Sequence, residues 1–237
     1  MWMPERQPYR KPFCMGRVDH GDAHLDTDAM EKARGITIFS KMARFAYGDA
    51  EYVLLDTPGH ADFTAEMERT LSVLDYAILV ISGIDGVQGH TRTLWKLLQN
   101  YNVPCILFIN KMDVSHRGKE ELLSHLQEKL ADACMDFGAF YGNAPMSDRD
   151  KEHIALCSEP LLDAFLNTGD LDQKLLVEAI AKRQIFPVLF GSALKVQGVK
   201  ELLRLMQDYM RQPSWGQDFA ARCFKIGRDE KGNRLTY

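Results

Sequence analysis

The chain has 237 residues and a formal net charge of -4, and 46% of its residues are hydrophobic. That is enough for one large domain, or one domain and part of another, around a sizeable core. The mild acidity excludes the overall basic field that drives non-specific binding to nucleic acid. Five scattered cysteines, Cys14, Cys105, Cys134, Cys157 and Cys223, form no C-x-x-C pair. They argue against a disulfide framework or a zinc site and for a reducing cytoplasm. The opening MWMPERQPYRKPFC lacks the apolar core of a signal peptide, and no apolar run approaches the length that spans a bilayer. The sequence therefore reads as a soluble, cytoplasmic protein with no membrane partner.

Taken in chain order, residues 1–14 fit no recognisable pattern. TIFSKMARFAYGDAEYVLLD reads as two strands around a Gly48-Asp49 turn, an antiparallel edge. YVLL (52–55), YAILVI (76–81), CILFIN (105–110) and IFPVLF (185–190) are apolar at consecutive positions, the pattern of buried parallel strands. Between them ADFTAEMERTLSVL, TRTLWKLLQNYN and GKEELLSHLQEKLA repeat apolar residues at helical spacing, as does GVKELLRLMQDYM after the last strand. Strands alternating with helices predict an α/β fold with a doubly wound, mostly parallel sheet. Residues 132–184 break the rhythm with small and polar residues and two helix-like pieces, EPLLDAFLN and QKLLVEAIAKR, which predicts an insertion. From Pro213 a linker-like stretch leads into alternating residues around a DEKGN turn, a β-hairpin that opens another domain.

Ligands of open α/β sheets sit at the C-terminal ends of the strands, and three polar clusters fall there. Asp56-Thr57-Pro58-Gly59-His60 closes the first apolar run. An aspartate in that place can hold a metal-bound water, a glycine lets backbone approach a phosphate, and an imidazole can position an attacking water. The plainer reading is a strand-ending turn with a solvated histidine. Asn110-Lys111-Met112-Asp113 closes CILFI. A carboxylate can accept two hydrogen bonds from the adjacent donors of guanine; adenine offers no such pair, and an unpaired buried carboxylate discriminates by roughly 10⁴ or more. Lys111 could lay its stem on the base plane and Asn110 could tie loops together, while the plainer reading is a polar helix cap. Gly191-Ser192-Ala193-Leu194 closes IFPVLF, where a small residue allows a backbone amide to reach a purine oxygen, or where Ser192 merely caps a helix.

RGITI (34–38), DTPGH (56–60), NKMD (110–113) and GSAL (191–194), in this order and on these elements, resemble the GTP-binding domain of the translational GTPases, the group that includes elongation factor G. The interval from Asp113 to Ser192, SVLDYAILVISGIDGVQ and FKIGRDEKGNRLTY are similar to the tetracycline-resistance ribosomal protection proteins within that group. The resemblance implies a P-loop NTPase-type fold followed by a β-barrel domain, GTP or GDP and Mg²⁺ as ligands, and the ribosome as partner. It implies that Thr37 binds magnesium by its hydroxyl and the γ-phosphate by its backbone. Asp56 holds magnesium through water and Gly59 donates its amide to the γ-phosphate. His60 positions the catalytic water, and Asn110, Lys111, Asp113, Ser192, Ala193 and Leu194 form the guanine site. No sequence-specific contact with nucleic acid is implied for this stretch.

The sequence departs from the pattern in one respect. A GTPase of this class needs G-x-x-x-x-G-K-[ST], whose amides and lysine cradle the phosphates, and the 237 residues contain no such loop. The expected organisation is an unassigned segment (1–14), a GTP-binding domain without its first strand and phosphate loop (15–212, insertion near 132–184), and a linker with the first barrel hairpin (213–237). A fragment of a ribosome-dependent GTPase, a degenerate remnant that binds without hydrolysing, and an α/β protein of other purpose are the three readings this leaves.

Overall fold

The computed structural model describes residues 40–58, 64–142, 146–212, 218, 221–228 and 232–236. Strands β1 (Lys41–Tyr47) and β2 (Ala50–Asp56) form an antiparallel hairpin, Lys41 opposite Asp56 and Tyr47 opposite Ala50. Its two-residue turn places Gly48 at φ 61, a conformation that suits glycine and matches the twist of the flanking strands. Phe45 and Tyr52, directly opposite each other, stack with ring centroids 5.2 Å apart.

Next come α1 (Thr64–Leu71), β3 (Ala77–Ser82), α2 (Gly89–Asn100), β4 (Cys105–Asn110), α3 (Lys119–Lys129) and β5 (Cys134–Asp136). A 3₁₀ turn over Gly138–Tyr141 leads to α4 (Asp148–Ala155), α5 (Glu159–Thr168), α6 (Gln173–Ala181), β6 (Phe186–Phe190) and α7 (Val199–Tyr209). A separate short hairpin, β7 (Ile226–Arg228) with β8 (Arg234–Thr236), follows. The helix starts have local causes. The Asp172 carboxylate accepts from the amides of Lys174 (2.8 Å) and Leu175 (3.0 Å) at the start of α6, and Ser147 accepts from Asp150 at the start of α4.

The parallel sheet has the order β3-β4-β6-β5. Its centre is β4, and the alternation of that strand divides the molecule. Cys105, Leu107 and Ile109 enter one apolar core with Met67 of α1, Trp95 and Leu98 of α2, and Leu122 and Leu126 of α3. Ile106 and Phe108 enter the other, against Ile154, Leu161, Leu176, Ile180 and Leu205 of α4 to α7. Helices thus cover both faces of the sheet, the arrangement that consecutive apolar residues require. On the first face Trp95 meets Phe186 edge-on at 4.6 Å, and the Arg183 guanidinium lies over both rings at 5.3 and 5.1 Å.

The fold is the α/β arrangement with a parallel sheet that the alternation predicts, and it differs from the sequence reading in three places. YVLL is not a buried parallel strand: it lies in β2, which among the described residues pairs only with β1, so Val53 (54%) and Leu54 (41%) are exposed. Residues 132–184 begin with β5, a parallel edge strand beside β6, before the helical segment starts. They also contain α4, whose run DRDKEHIA buries only Ile154 and Ala155. Ile106→Ala removes a fully buried side chain from β4 and should lower stability by about 2–5 kcal/mol. Val80→Ala on β3, where the side chain is 57% exposed, should cost below about 1 kcal/mol. Urea unfolding of the two variants measures the difference.

Candidate functional site

Parallel pairing brings three strand ends side by side. Ser82 of β3 lies opposite Asn110 of β4, and Ile109 lies opposite Phe190 of β6. Each strand hands over to a loop, and backbone hydrogen bonds join the loops. The Gly83 N–H donates to the Asn110 carbonyl (2.7 Å), the Gly191 N–H to the Ile109 carbonyl (2.9 Å) and the Met112 N–H to the Gly191 carbonyl (3.0 Å). This close approach needs glycine at two points. A Cβ on Gly83 would sit 2.8 Å from the Met112 sulfur and 3.1 Å from the Asn110 carbonyl oxygen; on Gly191 it would sit 2.2 Å from the Gln197 carbonyl oxygen. The loop after β6 is closed on itself by a reciprocal pair, Ser192 N–H to the Gln197 carbonyl (3.0 Å) and Gln197 N–H to the Ser192 carbonyl (2.9 Å).

Side chains complete the junction. The Asn110 carboxamide oxygen accepts from the Lys111 amide at 2.8 Å and from the Ala193 amide at 2.9 Å, so one side chain anchors both loops. Lys111 takes φ 63, a left-handed conformation that costs a lysine energy and that the surrounding hydrogen bonds impose. Its side chain is exposed. Asp113 follows with a side chain only 10% exposed, so its charge requires partners. The Ser192 hydroxyl supplies the strongest and Lys195, with Nζ 3.4 Å from Oδ2, supplies another; together they hold the carboxyl below the usual carboxylate range. Because its pKa is lowered, the group stays ionised at neutral pH and loses its charge only as pH falls through that lowered value. Ser192 is itself 1% exposed.

Ala193 and Leu194 are exposed at the tip of the loop. The Ala193 N–H is engaged by Asn110, whereas the Leu194 N–H donates to nothing among the described residues. The structure therefore gathers Asn110, Lys111, Asp113, Ser192, Ala193 and Leu194 into one loop cluster. Two further residues belong there that sequence reasoning did not name. Ser115 donates its hydroxyl to the Gly83 carbonyl at 2.8 Å, tying in the β3 loop, and Lys195 pairs with Asp113. The only sequence signal for either is its position one or two residues beyond GSAL or NKMD.

Asp56 stands half-buried at the C-terminal end of β2, followed by Thr57 and a buried Pro58. Thr37, Gly59 and His60 lie outside the described residues. Among the described residues no group of three or more His, Cys, Asp or Glu could hold a metal ion, and no helix is long and apolar enough to cross a membrane.

The chain is similar to known proteins over most of its length. The model of the elongation factor Tu GTP binding domain matches residues 11–212. The oxytetracycline resistance protein of Streptomyces rimosus is 32% identical over 245 residues, covering 94% of this chain and 37% of that protein. The tetracycline resistance protein TetM of Streptomyces lividans is 37% identical over 202 residues, covering 80% of this chain and 32% of that protein. Elongation factor G of Ureaplasma urealyticum is 29% identical over 290 residues, covering 96% of this chain and 42% of that protein. The chain thus spans between 32% and 42% of the length of these relatives. A solved structure from Thermus thermophilus shares the fold, with a TM-score of 0.77 at 21% identity over 93% of this chain and 40% of that one. The matched residues include all three strand-end clusters and run through α7, and the chain belongs to the elongation factor Tu GTP-binding-domain family of translational GTPases.

Proposed function

We propose that this chain is the guanine-nucleotide-binding part of a ribosome-dependent GTPase of the elongation factor G and tetracycline-resistance type. In the whole protein it would hydrolyse GTP to GDP and phosphate in the cytoplasm. The observation that carries the reading is the double anchorage by Asn110, which holds the Lys111 and Ala193 amides together and so sets Asp113 and the GSAL loop on one side of the sheet.

In this reading Asp113 accepts the two adjacent donors of guanine, displacing Lys195 from its carboxylate. Ser192 keeps that carboxylate oriented and ionised. The Lys111 stem covers one face of the base, and its left-handed backbone turns the side chain out of the strand direction. The N–H of Leu194 is the loop donor available to the purine carbonyl, beside the Ala193 amide already held by Asn110. Thr37 and Asp56 would hold magnesium, the first through its hydroxyl and the second through water, and magnesium when bound supplies charge neutralisation at the phosphates. Gly59 would donate its amide to the γ-phosphate, and His60 would orient the attacking water toward it. The remaining phosphate contacts require a G-x-x-x-x-G-K-[ST] loop, which the 237 residues do not contain.

Two experiments test the reading. In a protein joining this chain to a strand and such a loop, Asp113→Asn should weaken GTP at least about 100-fold and restore affinity for xanthosine triphosphate, whose carbonyl meets the new amide donor. Equal affinity of the variant for both nucleotides would refute the role of Asp113. The same loop-bearing protein should show ribosome-stimulated turnover that His60→Ala cuts by on the order of 100-fold or more, while the 237-residue chain alone should turn over GTP poorly with or without ribosomes. Robust turnover by the chain alone, lost in His60→Ala, would mean that other residues hold the phosphates.

A further inference from the structure

Among the described residues the Asp113 carboxylate pairs with one cation, Lys195, whose Nζ lies 3.4 Å from Oδ2. The two side chains differ in setting, that of Asp113 being 10% exposed and that of Lys195 56% exposed. An ammonium held from solvent can reach so sheltered a carboxylate only through its open side. That is the side a ligand must use. Among the described residues Nζ has no second partner, and a long side chain with its head in water gives up such a pair readily. The backbone beneath it is fixed. Besides the reciprocal pair of Ser192 and Gln197 and the Ala193 N–H held by Asn110, the Val196 N–H donates to the Ala193 carbonyl (3.2 Å) and the Lys195 N–H to the Ser192 hydroxyl (3.4 Å). Val196 takes φ 57, a conformation that a β-branched residue adopts only where its surroundings impose it. The ammonium can therefore leave Asp113 by rotation of the lysine side chain alone, while Ser192, Ala193 and Leu194 keep their places.

We propose, on the reading that Asp113 receives guanine, that Lys195 is an internal competitor of the base: its ammonium occupies the carboxylate while the site is empty and has to withdraw before the base can bind, so it weakens the hold on the nucleotide. A carboxylate takes two adjacent donors side by side only when both oxygens are accessible. With the Ser192 hydroxyl already on it and Lys195 at Oδ2, that condition fails until the lysine swings away. An ion pair this exposed favours contact over separation by roughly 1.4- to 5-fold. The empty site is then ready for the base about one-sixth to two-fifths of the time, and the apparent affinity falls by the same fraction. Ser192 does not compete in this way, because it is 1% exposed and stays behind the carboxylate. Lys195 thus sets how tightly the base is held, and the acceptors of Asp113 set which base it is.

The probe is guanosine, which carries the base without phosphates and has no charge. It is titrated into the full chain while the amide signals of Ala193 and Leu194 are followed by NMR. Lys195→Met keeps the length of the stem and removes the charge at an exposed loop position, where substitution costs little stability. It should bind guanosine about two- to sixfold more tightly than the unsubstituted chain at low salt. Raising the salt from about 20 to about 500 mM should shrink that ratio toward one, because salt screens the ion pair and not the ligand. Lys195→Arg, which retains a cation, should bind within about twofold of the unsubstituted chain. Equal or weaker binding by Lys195→Met, tighter binding by Lys195→Arg to the same extent as by Lys195→Met, or a ratio that salt does not change would overturn the competition. Guanine recognition by Asp113 would survive that result as long as guanosine shifts these signals and adenosine does not. Absence of any guanosine-specific shift in both proteins would overturn guanine recognition itself, and the competition with it.

Discussion

The double acceptance of backbone amides by Asn110 is the constraint on which the strand-end cluster depends. One carboxamide oxygen holds the loop after β4 to the loop after β6. The two bonds lie at an exposed position, and each contributes on the order of 0.5–1.5 kcal/mol. Around this anchor the other contacts follow. The Met112 amide can reach the Gly191 carbonyl because the loops are already apposed, and Gly191 can lie that close because it has no Cβ. Asp113 then falls beside the Ser192 hydroxyl, which keeps it charged. The cluster is preorganised, and a ligand entering it would not need to order the loops first.

The anchor is held in place by the packing of β4. Its residues alternate between two apolar cores, so a shift toward either face would open a cavity on the other side. Trp95, Phe186 and the overlying Arg183 brace the opposite end of the sheet, and the Arg183 guanidinium also donates to the Val103 carbonyl just before β4. The result is a stiff strand with a polar residue at its end. Asn110 is the last member of β4 and the first member of the site.

Much of this was legible in the sequence because the signals were local. CILFIN gives the observed strand residue for residue, since five consecutive apolar side chains have few other places to go. The Gly48-Asp49 turn is found where a two-residue hairpin needs it. NKMD and GSAL are legible as strand-end clusters because they terminate such runs. The parts that were missed depend on distant partners. β5 is three residues long and is a strand only because β6 lies beside it. β2 has the composition of a buried strand, but its burial depends on a neighbour that composition cannot supply. Ser115 and Lys195 act through Gly83 and Asp113, contacts that no spacing rule announces.

The anchoring hydrogen bond joins residues 83 positions apart in sequence. During synthesis from the N-terminus, Asn110 emerges long before Ala193. At about 5–20 residues per second, the strand-end carboxamide waits roughly 4–17 seconds for the loop that completes its hydrogen bonding. Through that interval β4 can pair with β3, but its other edge remains open until β6 arrives. The two anchored loops therefore cannot assemble progressively as the chain grows. They form in a single late step, when the strand after the helical segment closes the sheet.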